Sequence, residues 1–146
     1  MKTLNTALLL ILFSTFILSS CKDEEPEPTP EPTKTELLTA HPWLITDVKN
    51  NGTSIYNSFA ECIRDNSFTF YGDGNGITDE EAMKCNGADP QYYVFRWLFS
   101  NNQTKLVWKN PNSTDTFDIE SITASKIELS TTVNLGNTLT YIIEKQ

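Results

Sequence analysis

Short runs from Asn66 onward alternate apolar with polar residues at a period of two, and the gaps between them are built from turn residues. The runs are Asn66–Phe70, Tyr92–Ser100, Thr104–Asn110, Thr114–Ile122, Lys126–Val133 and Thr138–Lys145. Between them lie "GDGNG", "SNNQ", "NPNS" and "NLGN". A period of two is the signature of a half-buried strand. Short strands joined by tight Asn, Gly and Pro turns make an antiparallel meander. On one face this places Phe68 and Phe70, then Ile127, Leu129, Thr131 and Val133, then Leu139, Tyr141 and Ile143. "PWLITDVK" (Pro42–Lys49) and a short "TSIYN" (Thr53–Asn57) bring the total to about eight strands. A meander of this size removes its two edges by closing on itself. The expected fold is therefore all-β, a small antiparallel up-and-down barrel. Only "KTELLTA" before Pro42, and a second segment "DEEAMK", have helical character, so a short N-terminal helix precedes the barrel.

Ahead of the strands the composition changes twice. Met1-Lys2 gives a positive start, and Ala7–Leu18 is almost wholly apolar. At about a dozen residues that run is too short for a membrane-crossing helix, which needs roughly 20. It fits a secretory leader. Leu18-Ser19-Ser20-Cys21 resembles the lipobox of bacterial lipoproteins, and the resemblance implies cleavage before Cys21 and acylation of that cysteine. Two or three acyl chains give lasting attachment, each buried methylene contributing ~0.8 kcal/mol. Lys22-Asp23-Glu24-Glu25 resembles the lysine-plus-acids export tag of surface-exposed lipoproteins in some Gram-negative bacteria. In the other sorting rule, aspartate directly after the cysteine retains a lipoprotein at the inner membrane. Lys22 holds that position here, which favours the outer membrane, facing the exterior. "PEPTPEPTKT" (Pro26–Thr35) favours extended polyproline II and reads as a semi-rigid tether. The organisation is thus 1–20 leader, 21–35 lipidated cysteine, acidic tag and tether, and 36–146 folded domain. A domain of that length holds one core.

The chain carries a net charge of −8. It has no basic stripe, which excludes nucleic acid as a partner. The membrane is contacted through the lipid, not through charge. With Cys21 spent on lipid, Cys62 and Cys85 remain in a compartment where disulfides persist. A bridge between them closes a loop of about 24 residues, which contributes about 3 kcal/mol in the chain-entropy account. A two-thiolate metal site would need further ligands, and His41 is the lone histidine.

"HPWLITDV", "NNG", "ECIRDNSFTFYGDGNGITDEEAMKC" and "RWLFS" together resemble the lipocalin-like domain of small bacterial lipoproteins. Those domains share a tryptophan on the first strand, a Cys before Asp-Asn, a Phe-containing strand, an Asp-Gly turn, a second Cys and a later tryptophan strand. The resemblance implies a lipocalin-like barrel. Larger lipocalins carry Gly-x-Trp on the first strand, where this chain has His41-Pro42-Trp43, so their ligand chemistry is not carried over.

No catalytic constellation emerges, and the chain is read as non-enzymatic with no metal or cofactor. His41 has no serine or cysteine motif beside it. Of the carboxylates Asp115, Asp118 and Glu120, the last two alternate with Phe117 and Ile119 and form a wet strand face. "DGNGITDEE" fails as a calcium loop, because fitting its glycine leaves Tyr71 and Ala82 at the anchoring acid positions. The aromatic residues are the candidate ligand lining: Trp43, Phe68, Phe70, Tyr93, Phe95, Trp97, Phe99 and Trp108. They would take a small apolar or ring-shaped ligand. The same rings would serve as filling, since about eight strands leave room for side chains or one small ligand. A filled barrel would leave a protein-interaction or inhibitor module working through exposed loops.

The lipobox reading has a direct test. Cys21→Ser should abolish incorporation of labelled palmitate and release the protein from the membrane fraction. Alanines at Asp23, Glu24 and Glu25 should leave the protein lipidated but protected from protease added to intact cells.

Overall fold

The computed structural model describes residues 29–146, so the leader, Cys21, the Lys22–Glu25 tag and the first three residues of the Pro-rich tether lie outside the described residues. The unit Glu31–Gln146 contains the whole barrel. Helix α1 (Lys34–Thr39) opens it, started by a capping box in which Thr33 and Glu36 satisfy each other's backbone N–H groups. Those bonds from Thr33 hold the Glu36 carboxyl below its ordinary value. The compact unit thus reaches back to Glu31, before the Glu36 boundary read from composition, because Thr33 already belongs to the helix.

The strands are β1 (Trp43–Asn50), β2 (Thr53–Ser54), β3 (Ser67–Phe70), β4 (Asn75–Asp79), β5 (Tyr92–Ser100), β6 (Lys105–Lys109), β7 (Thr114–Ile122), β8 (Lys126–Thr132) and β9 (Thr138–Lys145). Each main strand pairs antiparallel with its neighbour, and β1 pairs with both β3 and β9, closing an eight-stranded barrel. The closing register runs from Trp43↔Lys145 to Asn50↔Leu139. The expected total holds, but its membership differs. Thr53–Asn57 contributes only the two-residue β2 and a 3-10 turn at Tyr56–Ser58. Its place in the barrel is taken by β4, whose Asn75 and Gly76 look like turn residues in the sequence.

Gly76 is a packing residue. It lies opposite Phe95, and a Cβ there would collide with the Phe95 ring. The missing side chain is what lets that ring lie against the sheet.

"DEEAMK" is not helical. The Asp79 carboxylate accepts the Glu81 N–H at 2.9 Å, and Glu81 has φ 48°, so the chain turns where a helix would begin. A one-turn helix α2 (Glu61–Arg64) forms instead, too short to show a period.

Strand direction sorts the connections by end. The turns after β3, β5 and β7 lie at one end with the start of β1, where α1 sits. Leu38 of α1 is fully buried there, its carbonyl accepting the Trp43 indole N–H at 2.8 Å. Lys34 donates to the Gln103 carbonyl of the β5–β6 turn. The connections β1–β3, β4–β5, β6–β7 and β8–β9 lie at the other end. Two of them are long, and the Cys62–Cys85 disulfide ties these together, joining α2 to the β4–β5 segment with Cα atoms 5.1 Å apart. Among the described residues no helix is long and apolar enough to cross a membrane.

The bridge spans 23 residues of chain, so its loss should release a comparable loop entropy. Cys85→Ala should lower stability by about 2–5 kcal/mol in denaturant melts of the Glu31–Gln146 unit. The unreduced, denatured wild-type unit should offer no thiol to an alkylating reagent.

Candidate functional site

The barrel interior has two parts. Around the covered end, Trp43, Phe70, Phe95, Trp97, Leu38 and Leu106 are buried together. Phe70 meets Phe95 and Trp97 edge-on at 5.2 and 5.8 Å, and the Trp97 indole donates to the carbonyls of Tyr71 and Asn75. This part is filled.

Toward the other end lies a cavity of about 550 Å³. Its apolar wall is Ile45, Phe68, Trp108, Phe117, Leu129 and Ile143, and its polar rim includes Asn110, Asp115, Thr131 and Tyr141. The cause is visible in the strand pairing. The β7–β8 register runs from Ile122↔Ile127 to Asp118↔Ser130 and ends there, with an irregularity between Ile119 and Ser121. Thr114–Phe117 therefore pair on β6 only, while Thr131, Thr132 and Val133 face them across the gap. The Thr131 hydroxyl bridges to the Thr116 carbonyl at 3.2 Å. Exposed Thr114, Asp115, Thr116 and Val133 make this gap the mouth.

Trp108 stands at the boundary. It stacks on Phe95 at 4.3 Å, meets Phe70 edge-on at 5.1 Å, and still lines the cavity beside Phe68. Of the candidate lining residues, Phe68 and Trp108 face the cavity. Trp43, Phe70, Phe95 and Trp97 are buried in the filled part, and Phe99 packs edge-on to Trp97. Tyr93 follows the alternation but sits at the end of β5 with 40% of its surface exposed. Desolvation, then the charges of Asp89 and Glu80, raise its phenol above its ordinary value.

The lining that sequence reasoning left out comes from Ile45 of β1 and mainly from β7, β8 and β9. Its signal was Thr131, a polar residue in an otherwise apolar inward series. The Tyr141 phenol is pushed above its ordinary value by burial and then by the charge of Asp115.

The remaining chemical candidates are structural ties. His41 packs on Trp43 and places its ring nitrogens 2.9 Å from the Pro42 and Ala124 carbonyls. Asp118 pairs with Lys105, and Glu120 accepts from Ser130 at 2.6 Å. Asp73 and Asp79 lie at opposite ends of β4. Asp73 accepts from the backbone and side chain of Asn75, which lowers its pKa and starts the strand. Among the described residues no group of three His, Cys, Asp or Glu side chains is placed to hold a metal ion.

No family model matches the chain, and no curated protein matches it. Among solved structures, the crystal structure of a lipocalin-like protein from Bacteroides uniformis is similar at 12% identity and a TM-score of 0.48. The match covers 75% of this chain and 99% of that one.

The division between filling and cavity has a measurable consequence. Phe95→Ala removes a ring that is 1% exposed and packed against Phe70 and Trp108. It should lower stability by about 3–5 kcal/mol in a melt.

Proposed function

We propose that this protein is a lipid-anchored, non-enzymatic binding protein whose barrel takes a small, largely apolar molecule. The observation that supports this best is the cavity of about 550 Å³ beside a filled half-barrel. Ligand sites typically enclose about 300–1,000 Å³, with apolar walls and a few polar groups that orient the guest. Phe68, Trp108, Phe117 and Leu129 supply the wall, and Tyr141 and Thr131 supply polar groups. The leader, Leu18-Ser19-Ser20-Cys21 and the acidic tag support an outer-membrane location facing the exterior, with Cys21 as the acylated residue.

One observation favours a second role, docking of a protein partner at the mouth. Leu135, in the β8–β9 turn, is fully exposed at φ 66°, close in sequence to Val133 at the cavity rim. Val133 is exposed as well, so the turn would offer a partner two apolar side chains beside the mouth.

Trp108 separates the two. Trp43 and Trp97 are sealed in the filled part, so Trp108 should report occupancy alone. Naphthylmethanol titrated into the Glu31–Gln146 unit should change tryptophan fluorescence saturably, with micromolar affinity at best, about −8 kcal/mol. Trp108→Phe should erase the signal and keep binding measurable by calorimetry. Absence of saturable binding by both methods would sink the ligand reading and leave the partner role.

A further inference from the structure

The cavity has a charge as well as a shape. Asp115 lies directly opposite Trp108 in the β6–β7 register, two residues before Phe117 and on the same face of β7. That face is the inner one, so the exposed carboxylate borders the mouth of the cavity. No lysine, arginine or histidine is among the residues that line it. The cations of β6 alternate to the outside, where Lys105 is paired with Asp118 and Lys109 lies opposite Thr114. Among the described residues Asp115 forms no ion pair, and its side-chain partner is the Ser113 hydroxyl at 3.1 Å.

Around this carboxylate are aromatic rings. Trp108 is its cross-strand neighbour, and Phe117 meets Tyr141 edge-on at 5.5 Å. The faces of such rings attract cations, most strongly where water is thinned out. A carboxylate beside aromatic faces, with no cation in the wall, offers negative potential to whatever enters. An anionic headgroup would meet that potential with nothing to offset it.

Resting on the ligand reading above, we propose that the cavity selects apolar or aromatic molecules bearing a positively charged nitrogen, an amine or quaternary ammonium, which Asp115 and the surrounding rings hold at the mouth. The apolar body of such a ligand lies along Phe68, Leu129 and Ile143, and its nitrogen stops at the rim. Carboxylate-headed molecules such as fatty acids are disfavoured by the same arrangement.

The test compares probes with one body and three heads: naphthylmethylamine, naphthylmethanol and naphthylacetate, titrated into the Glu31–Gln146 unit by calorimetry. The amine should bind about tenfold tighter than the alcohol, and the acid weakest. Asp115→Asn should remove the amine's advantage over the alcohol. Equal affinities for amine and acid would overturn the proposal while leaving the cavity a binding site. The proposal is equally overturned if Asp115→Asn weakens all three probes alike, since the carboxylate would then act only on the shape of the rim. If none of the three binds, the ligand reading falls and this proposal with it.

Discussion

The pairing of β1 with β9 is the constraint on which everything else rests. It joins residues at the two ends of the domain, Trp43 with Lys145 and Asn50 with Leu139, and turns an open meander into a barrel. Without it both strands would expose unpaired N–H and C=O groups. Closure also sets what is inside. Trp43, at the start of β1, becomes the floor against which Leu38 seats and to which Gln146 returns through the Pro42 carbonyl. Helix α1 is held there by burial, not by its own propensity, since so short a helix is marginal in water.

A closed barrel of eight strands has room for side chains or for one small guest. This one holds both because its inner residues are unevenly distributed. The β3–β6 side carries Phe70, Phe95 and Trp97, and Gly76 lets Phe95 pack close against the wall. The β7–β9 side carries Leu129, Thr131 and Tyr141, which fill less. The β7–β8 pairing shifts register at Glu120 and ends at Asp118 and Ser130, and the wall opens beyond that point, where the filling is thinnest. Bulges are a usual means of ending strand pairing beside a site.

The mouth and the two long connections share one end of the barrel, opposite the end that α1 covers. The disulfide ties those connections to each other and leaves the β6–β7 and β8–β9 turns unstapled. The rim next to the cavity is therefore made of short turns on a fixed wall. Leu135 and Asp115 sit on or beside it, one apolar and exposed, the other charged and facing inward. A site on such a frame varies its specificity by changing a rim residue without disturbing the core.

Much of this was legible in the residues. Alternation determined which side chains of β5, β8 and β9 face inward, the turn segments determined that neighbours in sequence are neighbours in the sheet, and Cys62 and Cys85, the two cysteines of the folded domain, determined their own pairing. Each follows from local geometry, because a strand's faces repeat every second residue. The strand status of Asn75–Asp79 was not legible, because Gly76 reads as punctuation until Phe95 is placed against it. Nor was the division of inward rings between filling and cavity. Trp97 and Trp108 occupy equivalent inward positions on adjacent strands, and sequence gives them the same role. Only the closed barrel separates them, since what a ring touches across the interior depends on strands far away in the chain, and on where β7 and β8 part.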